Sequence, residues 1–284
     1  MLNLGVHVST AGKIYNSVNR AKKLGCNTMQ IFTRNPRQWR KGHLSEEDIE
    51  EFKRRVKKEK IKPAVIHIPY TLNLASERVN FHKITIREFI SDLTEAKKLG
   101  AEYLVTHPGS HKGSTQVQGL LKVAQALRTV LKETKGVKTK ILLENTSGSG
   151  SWLGYTFSHL RNILEEIDFS SRVGICLDTA HAWAAGYEIN NPKGLDVLLS
   201  EIDKEVGIKR VKVIHLNDTR EKLGSCHDRH ADIGKGYIGK KGFELIINHP
   251  CFKKTAFILE TPKKEEGDDL RNLKAVRRLY RNGI

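Results

Sequence analysis

Histidine and carboxylate side chains recur in this sequence at spacings that let them share a metal ion. From His215 to Gly239 the chain reads HLNDTREKLGSCHDRHADIGKGYIG. The stretch opens at the end of the apolar, β-branched run VKVIH, residues 211–215, which reads as a buried strand delivering His215 at its last position. In the polar loop that follows, Asp228 and His230 stand two residues apart, so in an extended segment both point to one side and can bind the same small cation. Gly234, Gly236 and Gly239 then permit close backbone approach and positive φ angles.

Other apolar runs finish in the same way. Their last residues are His67, His107, Glu144, Asp178 and Glu260, with His7 at the end of the first run. His181 lies three residues past Asp178, at the start of a helical turn. So many acceptors gathered in one place would repel one another without a cation between them. Imidazole mixed with carboxylate suits zinc, manganese or iron better than magnesium or calcium, and the excess of donors points to two or more ions. Clustered ions of this kind suit phosphate-ester hydrolysis, because they lower the pKa of water, neutralise phosphate oxygens and stabilise a departing alkoxide. His43, His82, His159 and His249 lack such company and read as ordinary surface residues.

The elements that must position these groups alternate along the chain. Strands are expected at 2–8, 28–32, 64–68, 103–107, 140–144, 173–178, 211–215 and 256–260. Helices are expected at 11–24 (closed by Gly25), 45–60, 77–99, 117–133, 157–167, 194–206, near Phe243, and 268–280. The run AKKLG ends both the first and the third of these helices, at Gly25 and at Gly100, and in each case feeds a strand. Eight short apolar strands alternating with helices predict an α/β fold, a (β/α)8 TIM barrel, whose strand C-termini would carry the active site on one rim. An open doubly wound sheet is the rival, but no GxGxxG follows the first strand, and the glycines of residues 148–154 read as an ordinary strand-to-helix loop.

Residues 1–284 read as a single domain. Lys and Arg number 49 against 32 Asp and Glu, a net charge of +17 and a pI near 9.7, which favours a polyanionic partner. Cys26, Cys176, Cys226 and Cys251 form no CxxC pair, and Cys226 beside the candidate ligands reads as incidental; a reducing, cytoplasmic setting is expected. No run is apolar enough to cross a bilayer. Abundant Lys and Glu with few Gln hint at a thermophilic source.

Across essentially the whole chain the sequence resembles the endonuclease IV family of apurinic/apyrimidinic endonucleases. The motifs that carry the resemblance are GVHVS at 5–9, FTRNPRQW at 32–39, HIPY at 67–70, HPG at 107–109, LEN at 143–145, LDTAH at 177–181, HLND at 215–218, DRH at 228–230 and LETP at 259–262. The resemblance implies a barrel with three zinc ions, manganese or iron sometimes substituting. His67, His107 and Glu144 would hold the first ion, and Glu144 would bridge to a second held by Asp178, His215 and Glu260. His181, Asp228 and His230 would hold the third, and Glu144 would position the attacking hydroxide. The implied reaction cuts duplex DNA 5′ to an abasic site, leaving a 3′-hydroxyl and a 5′-deoxyribose phosphate, and trims blocked 3′ ends. Family members usually act as monomers. Arg37 and Tyr70 match positions that open the helix from the minor groove, although Thr71 stands where some members carry leucine. Asn35 is a further DNA-contact candidate, and His7 and Asp218 are candidates for orienting the metal ligands.

A divalent-metal sugar isomerase or epimerase is the alternative, since related barrels place the same residue types at the same rim. The Asp228–His230 pair, the loop from Phe32 to Trp39 and the +17 charge distinguish the nuclease, because a small-sugar enzyme requires none of them.

Overall fold

A computed structural model of the chain describes residues 2–35 and 44–281. Eight parallel strands alternate with helices around a nearly closed barrel. In chain order the strands are β1 (Leu4–Val6), β2 (Met29–Ile31), β3 (Ala64–His67), β4 (Tyr103–Thr106), β5 (Lys140–Glu144), β6 (Val173–Asp178) and β7 (Val211–His215), then the short pair β8 (Asp218–Thr219) and β9 (His230–Ala231) outside the barrel, and β10 (Ala256–Leu259). Strand order in the barrel is β1-β10-β7-β6-β5-β4-β3-β2, and the remaining seam between β1 and β2 closes through a parallel bridge of His7 with Gln30, where Val8 N donates to Gln30 O at 2.7 Å.

The strands are apolar on both faces, as parallel sheets covered by helices require. Val65, Val105, Leu142, Cys176, Val213, Ala256 and Ile258 fill the inside of the barrel. Their neighbours, among them Ile66, Leu104, Leu143, Ile175, Ile214 and Phe257, face outward into the layer packed by the helices. Those helices are α1 (Asn16–Lys23), α2 (Glu46–Lys58), α3 (Val79–Leu99), α4 (Gln116–Glu133), α5 (Phe157–Glu165), α6 (Thr179–Ala184), α7 (Pro192–Glu205), α8 (Gly239–Ile247) and α9 (Asp268–Leu279). Side-chain caps start several of them: Ser45 accepts from Asp48 N, Thr115 and Gln118 form a reciprocal capping box, and Asn191 accepts from Gly194 N ahead of a proline at the first helical position. Among the described residues no helix is long and apolar enough to cross a membrane.

Three expectations are corrected. The first helix begins at Asn16 rather than at residue 11, because Gly12 holds a φ of +82°, outside the helical region; Arg20 pins the resulting loop by donating to Ser9 O and Ala11 O. His82 and His159 are buried rather than on the surface. His82 Nε2 donates to Leu74 O at 2.9 Å, and His159 Nδ1 accepts from Gly154 N at 3.2 Å, so each sits on the inner side of its helix with a backbone partner. His43 lies outside the described residues.

Candidate metal centre

The C-terminal ends of the strands bring the candidate groups into one volume. His67, His107 and Glu144 can present ligand atoms within 4.8 Å of one another, as can Glu144, Asp178, His215 and Glu260, and as can Asp178, His181 and His230. Glu144 is common to the first two sets and Asp178 to the last two. His67 Nε2 is 3.0 Å and His107 Nε2 3.5 Å from Glu144 Oε2, while His215 Nδ1 is 2.9 Å from Glu144 Oε1 and 3.3 Å from Glu260 Oε2. Asp228 leans in from its loop, with Oδ2 3.2 Å from His181 Nε2 and Oδ1 3.1 Å from His230 Nε2.

Local structure aims each group. Asp178 ends β6 and also caps α6, its Oδ1 accepting from His181 N at 2.8 Å, so the strand end and the helix start are locked together. Asn145 grips the backbone of Asp178 on both sides, its Oδ1 accepting from Asp178 N and its Nδ2 donating to Asp178 O. Asn217 Nδ2 donates to Asp178 Oδ2 at 2.7 Å, and its Oδ1 accepts from Glu260 N at 2.8 Å. The loop bearing Asp228 and His230 returns through the two-stranded antiparallel ribbon of β8 with β9. Asp218 anchors that loop: it is fully buried and accepts from the amides of Gly234, Gly236 and Ile238. A Cβ on Gly236 would stand 2.4 Å from Asp218 Oδ1 and 2.2 Å from Thr219 O, so only glycine fits there.

Hydrogen bonds on the far ring nitrogen fix which face each histidine offers. His67 Nδ1 donates to Ile68 O, His181 Nδ1 to Asn145 O and His230 Nδ1 to Glu260 O, leaving Nε2 of all three toward the carboxylates. His215 is turned the other way: Nε2 lies 2.8 Å from Gln30 Oε1, and Nδ1 faces the site. A neutral imidazole so held offers a lone pair, and that lone pair faces a carboxylate oxygen across about 3 Å in every case. Two acceptors at that distance need a proton or a cation between them.

The ionisation of the groups reflects the same conflict. Burial alone raises the Glu144 carboxyl, but the imidazoles of His107, His215 and His67 outweigh it and hold Glu144 well below the usual carboxylate range. Burial takes His107 down to about 4. Burial also opposes charge on His181 and His230, yet Asp178 and Asp228 overcome it and raise them to about 10 and about 9. Cys176, beneath Glu144 and His215, is pushed up to about 12 by burial and stays a thiol. Divalent ions would take the place of the protons on His181 and His230, and the mixed imidazole and carboxylate donors fit zinc, manganese or iron.

Around the centre, Tyr70 is exposed, with its ring 5.9 Å from that of His67, and Trp152 stands edge-on 6.0 Å from His107. Asn35, His7, Tyr70, His230, Glu260 and Lys263 line one open cleft. Arg37 and the rest of residues 36–43 lie outside the described residues, and Cys226 is exposed and outside the donor groups. Sequence reading missed Gln30, Asn145, Asn217 and Trp152 as parts of this region. Gln30 lies on β2 opposite Val65 and bridges to His7, and in the sequence only its inward parity, not a strand-end position or a charge, marks it.

Comparison with known proteins gives the centre its context. Residues 18–281 match the family model described as a xylose isomerase-like TIM barrel. The probable endonuclease 4 of Halothermothrix orenii is 43% identical over 92% of this chain and 94% of its own length, and that of Chloroflexus aggregans is 41% identical over 99% of both. The crystal structure of endonuclease IV from Thermus thermophilus superposes with a TM-score of 0.87 at 35% identity, covering 98% of each chain. A D-tagatose 3-epimerase-like protein shares the fold, with a TM-score of 0.74 at 20% identity. The chain belongs to the endonuclease IV family of apurinic/apyrimidinic endonucleases.

Proposed function

We propose that the chain is a zinc-dependent DNA repair nuclease that hydrolyses the phosphodiester 5′ to an abasic site in duplex DNA, leaving a 3′-hydroxyl and a 5′-deoxyribose phosphate, and that it also trims blocked 3′ ends. The observation that carries the reading is the set of three overlapping donor groups joined by Glu144 and Asp178 at one end of an otherwise apolar barrel. His67, His107 and Glu144 would hold one ion, Glu144, Asp178, His215 and Glu260 a second, and His181, Asp228 and His230 a third, with manganese or iron able to substitute. Ions so placed lower the pKa of water, neutralise phosphate oxygens and stabilise the alkoxide that leaves. The chain's own part is positioning: the backbone-anchored histidines keep their free nitrogens aimed inward, and Asp218 holds the loop that carries Asp228 and His230. Tyr70, Asn35 and Arg37 would contact the opened duplex, and the net charge of +17 would gather its phosphates. The working unit is the whole chain as one domain and a monomer.

The test is incision of a duplex carrying one abasic-site analogue, by protein as purified and protein stripped with a strong chelator, with metal counted on both. Cleavage on the 5′ side that disappears with the metal and returns with zinc or manganese is the expected result. An uncut strand at full metal content would defeat the reading in favour of a sugar isomerase or epimerase.

A further inference from the structure

We infer that Gln30 is a positioning residue for the second metal position, fixing His215 and Glu260 from the seam at which the barrel closes. The inference rests on the metal-centre reading above. Gln30 is fully buried in β2, and its side chain spans the barrel interior to groups on two other strands. Its Nε2 donates to Glu260 Oε1 at 2.6 Å, and its Oε1 faces His215 Nε2 at 2.8 Å. These two contacts determine the amide orientation. A carboxylate only accepts, so the amide nitrogen must face Glu260, and the oxygen that remains requires His215 Nε2 to carry the proton. His215 Nδ1 is thereby left as the lone pair aimed between Glu144 and Glu260.

The same residue closes the barrel. The bridge between His7 and Gln30 joins β1 to β2, Val8 N donates to Gln30 O, and His7 Nδ1 lies 3.0 Å from Gln30 Nε2 and 3.2 Å from Glu260 Oε1. Side chains on both sides of the seam thus converge on one carboxylate. A metal held by Glu260 and His215 would restrain Gln30 through these two contacts, and Gln30 would in turn restrain the seam. Groups that orient metal ligands in this way typically change metal affinity about 10–100-fold when removed.

The experiment compares the parent chain with Gln30→Leu and Gln30→Glu, each loaded with zinc and titrated with a competing chelator while metal per chain is counted. Leucine removes both contacts, whereas glutamate keeps an acceptor for His215 and sets a carboxylate against Glu260. Both variants are expected to release one zinc equivalent at about 10–100-fold lower chelator than the parent. Zinc is also expected to slow hydrogen exchange at the Val8 amide more in the parent than in either variant. Superimposable chelator curves for parent and variants would overturn the role of Gln30 alone, whereas a parent that retains no zinc would overturn the metal-centre reading itself. Should the variants not fold, the parent chain still decides: with cadmium-113 in place of zinc, nitrogen-15 coupling must appear at His215 Nδ1 with the proton on Nε2, and coupling at Nε2 defeats the proposal.

Discussion

Inside the barrel, Val65, Val105, Leu142, Cys176, Val213 and Ile258 form an apolar layer, and two residues further along the same strands stand His67, His107, Glu144, Asp178, His215 and Glu260. A step of two keeps a side chain on the same side of a strand, so on each strand both residues point inward, roughly 6.6 Å apart along it. The stagger between strands sets Val105 beside His67, Cys176 beside Glu144 and Ile258 beside His215. Direction is therefore not what distinguishes the two layers. Apart from Cys176, whose thiol lies within 4.8 Å of ligand atoms of Glu144 and His215, the lower layer is made of apolar side chains that ask for nothing but packing. The upper layer, equally buried in large part, consists of acceptors that packing cannot satisfy, and its stability is tied to what it binds.

Substitutions one layer apart should therefore fail in different ways. Glu144→Gln is expected to lower incision by more than about a hundredfold, since even residues that merely orient metal ligands are worth about 10–100-fold, while its metal-free form keeps the parent's circular dichroism and melting temperature. Substantial retained incision would remove Glu144 from its bridging place. Two residues back, Leu142→Ala is expected to cost about 2–5 kcal/mol of unfolding free energy, equally with and without chelator, because it opens a cavity among apolar side chains. A loss that appeared only in the metal-loaded protein would mean that the two layers are mechanically coupled. Zinc itself is expected to stabilise the parent by about 2.7 kcal/mol per site at a hundredfold excess over its Kd, and to do so far less in Glu144→Gln. Equal increments in the two would detach the metal from Glu144.

The layering also explains how much could be read from the sequence. Val65-Ile-His67, Val105-Thr-His107, Leu142-Leu-Glu144, Cys176-Leu-Asp178, Val213-Ile-His215 and Ile258-Leu-Glu260 repeat one pattern, an inward apolar residue followed two places on by a donor, and that pattern makes the strand-end groups visible. Gln30 obeys the same parity after Thr28. It is hidden because its run continues to Phe32, so the donor is not the last residue, and because a neutral amide among apolar neighbours carries no charge to announce it. His82 and His159 are misplaced by sequence for the analogous helical reason. His82 falls on the stripe with Thr85, Phe89, Leu93 and Ala96, and that periodicity outweighs the polarity of one ring. The ribbon of β8 with β9 pairs two residues with two, too few for any periodic signal, and its register is held by Asp218 contacts that only the folded chain assembles.

Smaller effects are expected outside the barrel, where side chains meet solvent. Trp152 is 37% exposed and stands beside His107, so it offers an aromatic face at the mouth of the centre. Trp152→Ala is expected to weaken binding of an abasic duplex about tenfold, the lower part of the range for one base stacked on an aromatic side chain, and to leave zinc content unchanged. Unchanged affinity would place the bound strand elsewhere on the rim.

Arg229 stands between Asp228 and His230, but its side chain is 74% exposed and only 3.5 Å from Glu221 Oε1 across a loosely formed ion pair. Asp228 and His230 reach the His181 side of the centre, whereas the Arg229 side chain, which lines the pocket shared by His107, Trp152 and Asp228, stays largely in solvent. A cation in that place adds affinity through counterion release and carries no information about the lesion. Arg229→Ala should therefore weaken intact and abasic duplexes alike and reduce the slope of log K against log salt by about one. The measurement is a binding titration at several salt concentrations on both duplexes. A loss confined to the abasic duplex, with the salt slope intact, would mean that Arg229 reads the lesion and belongs functionally with its inward neighbours.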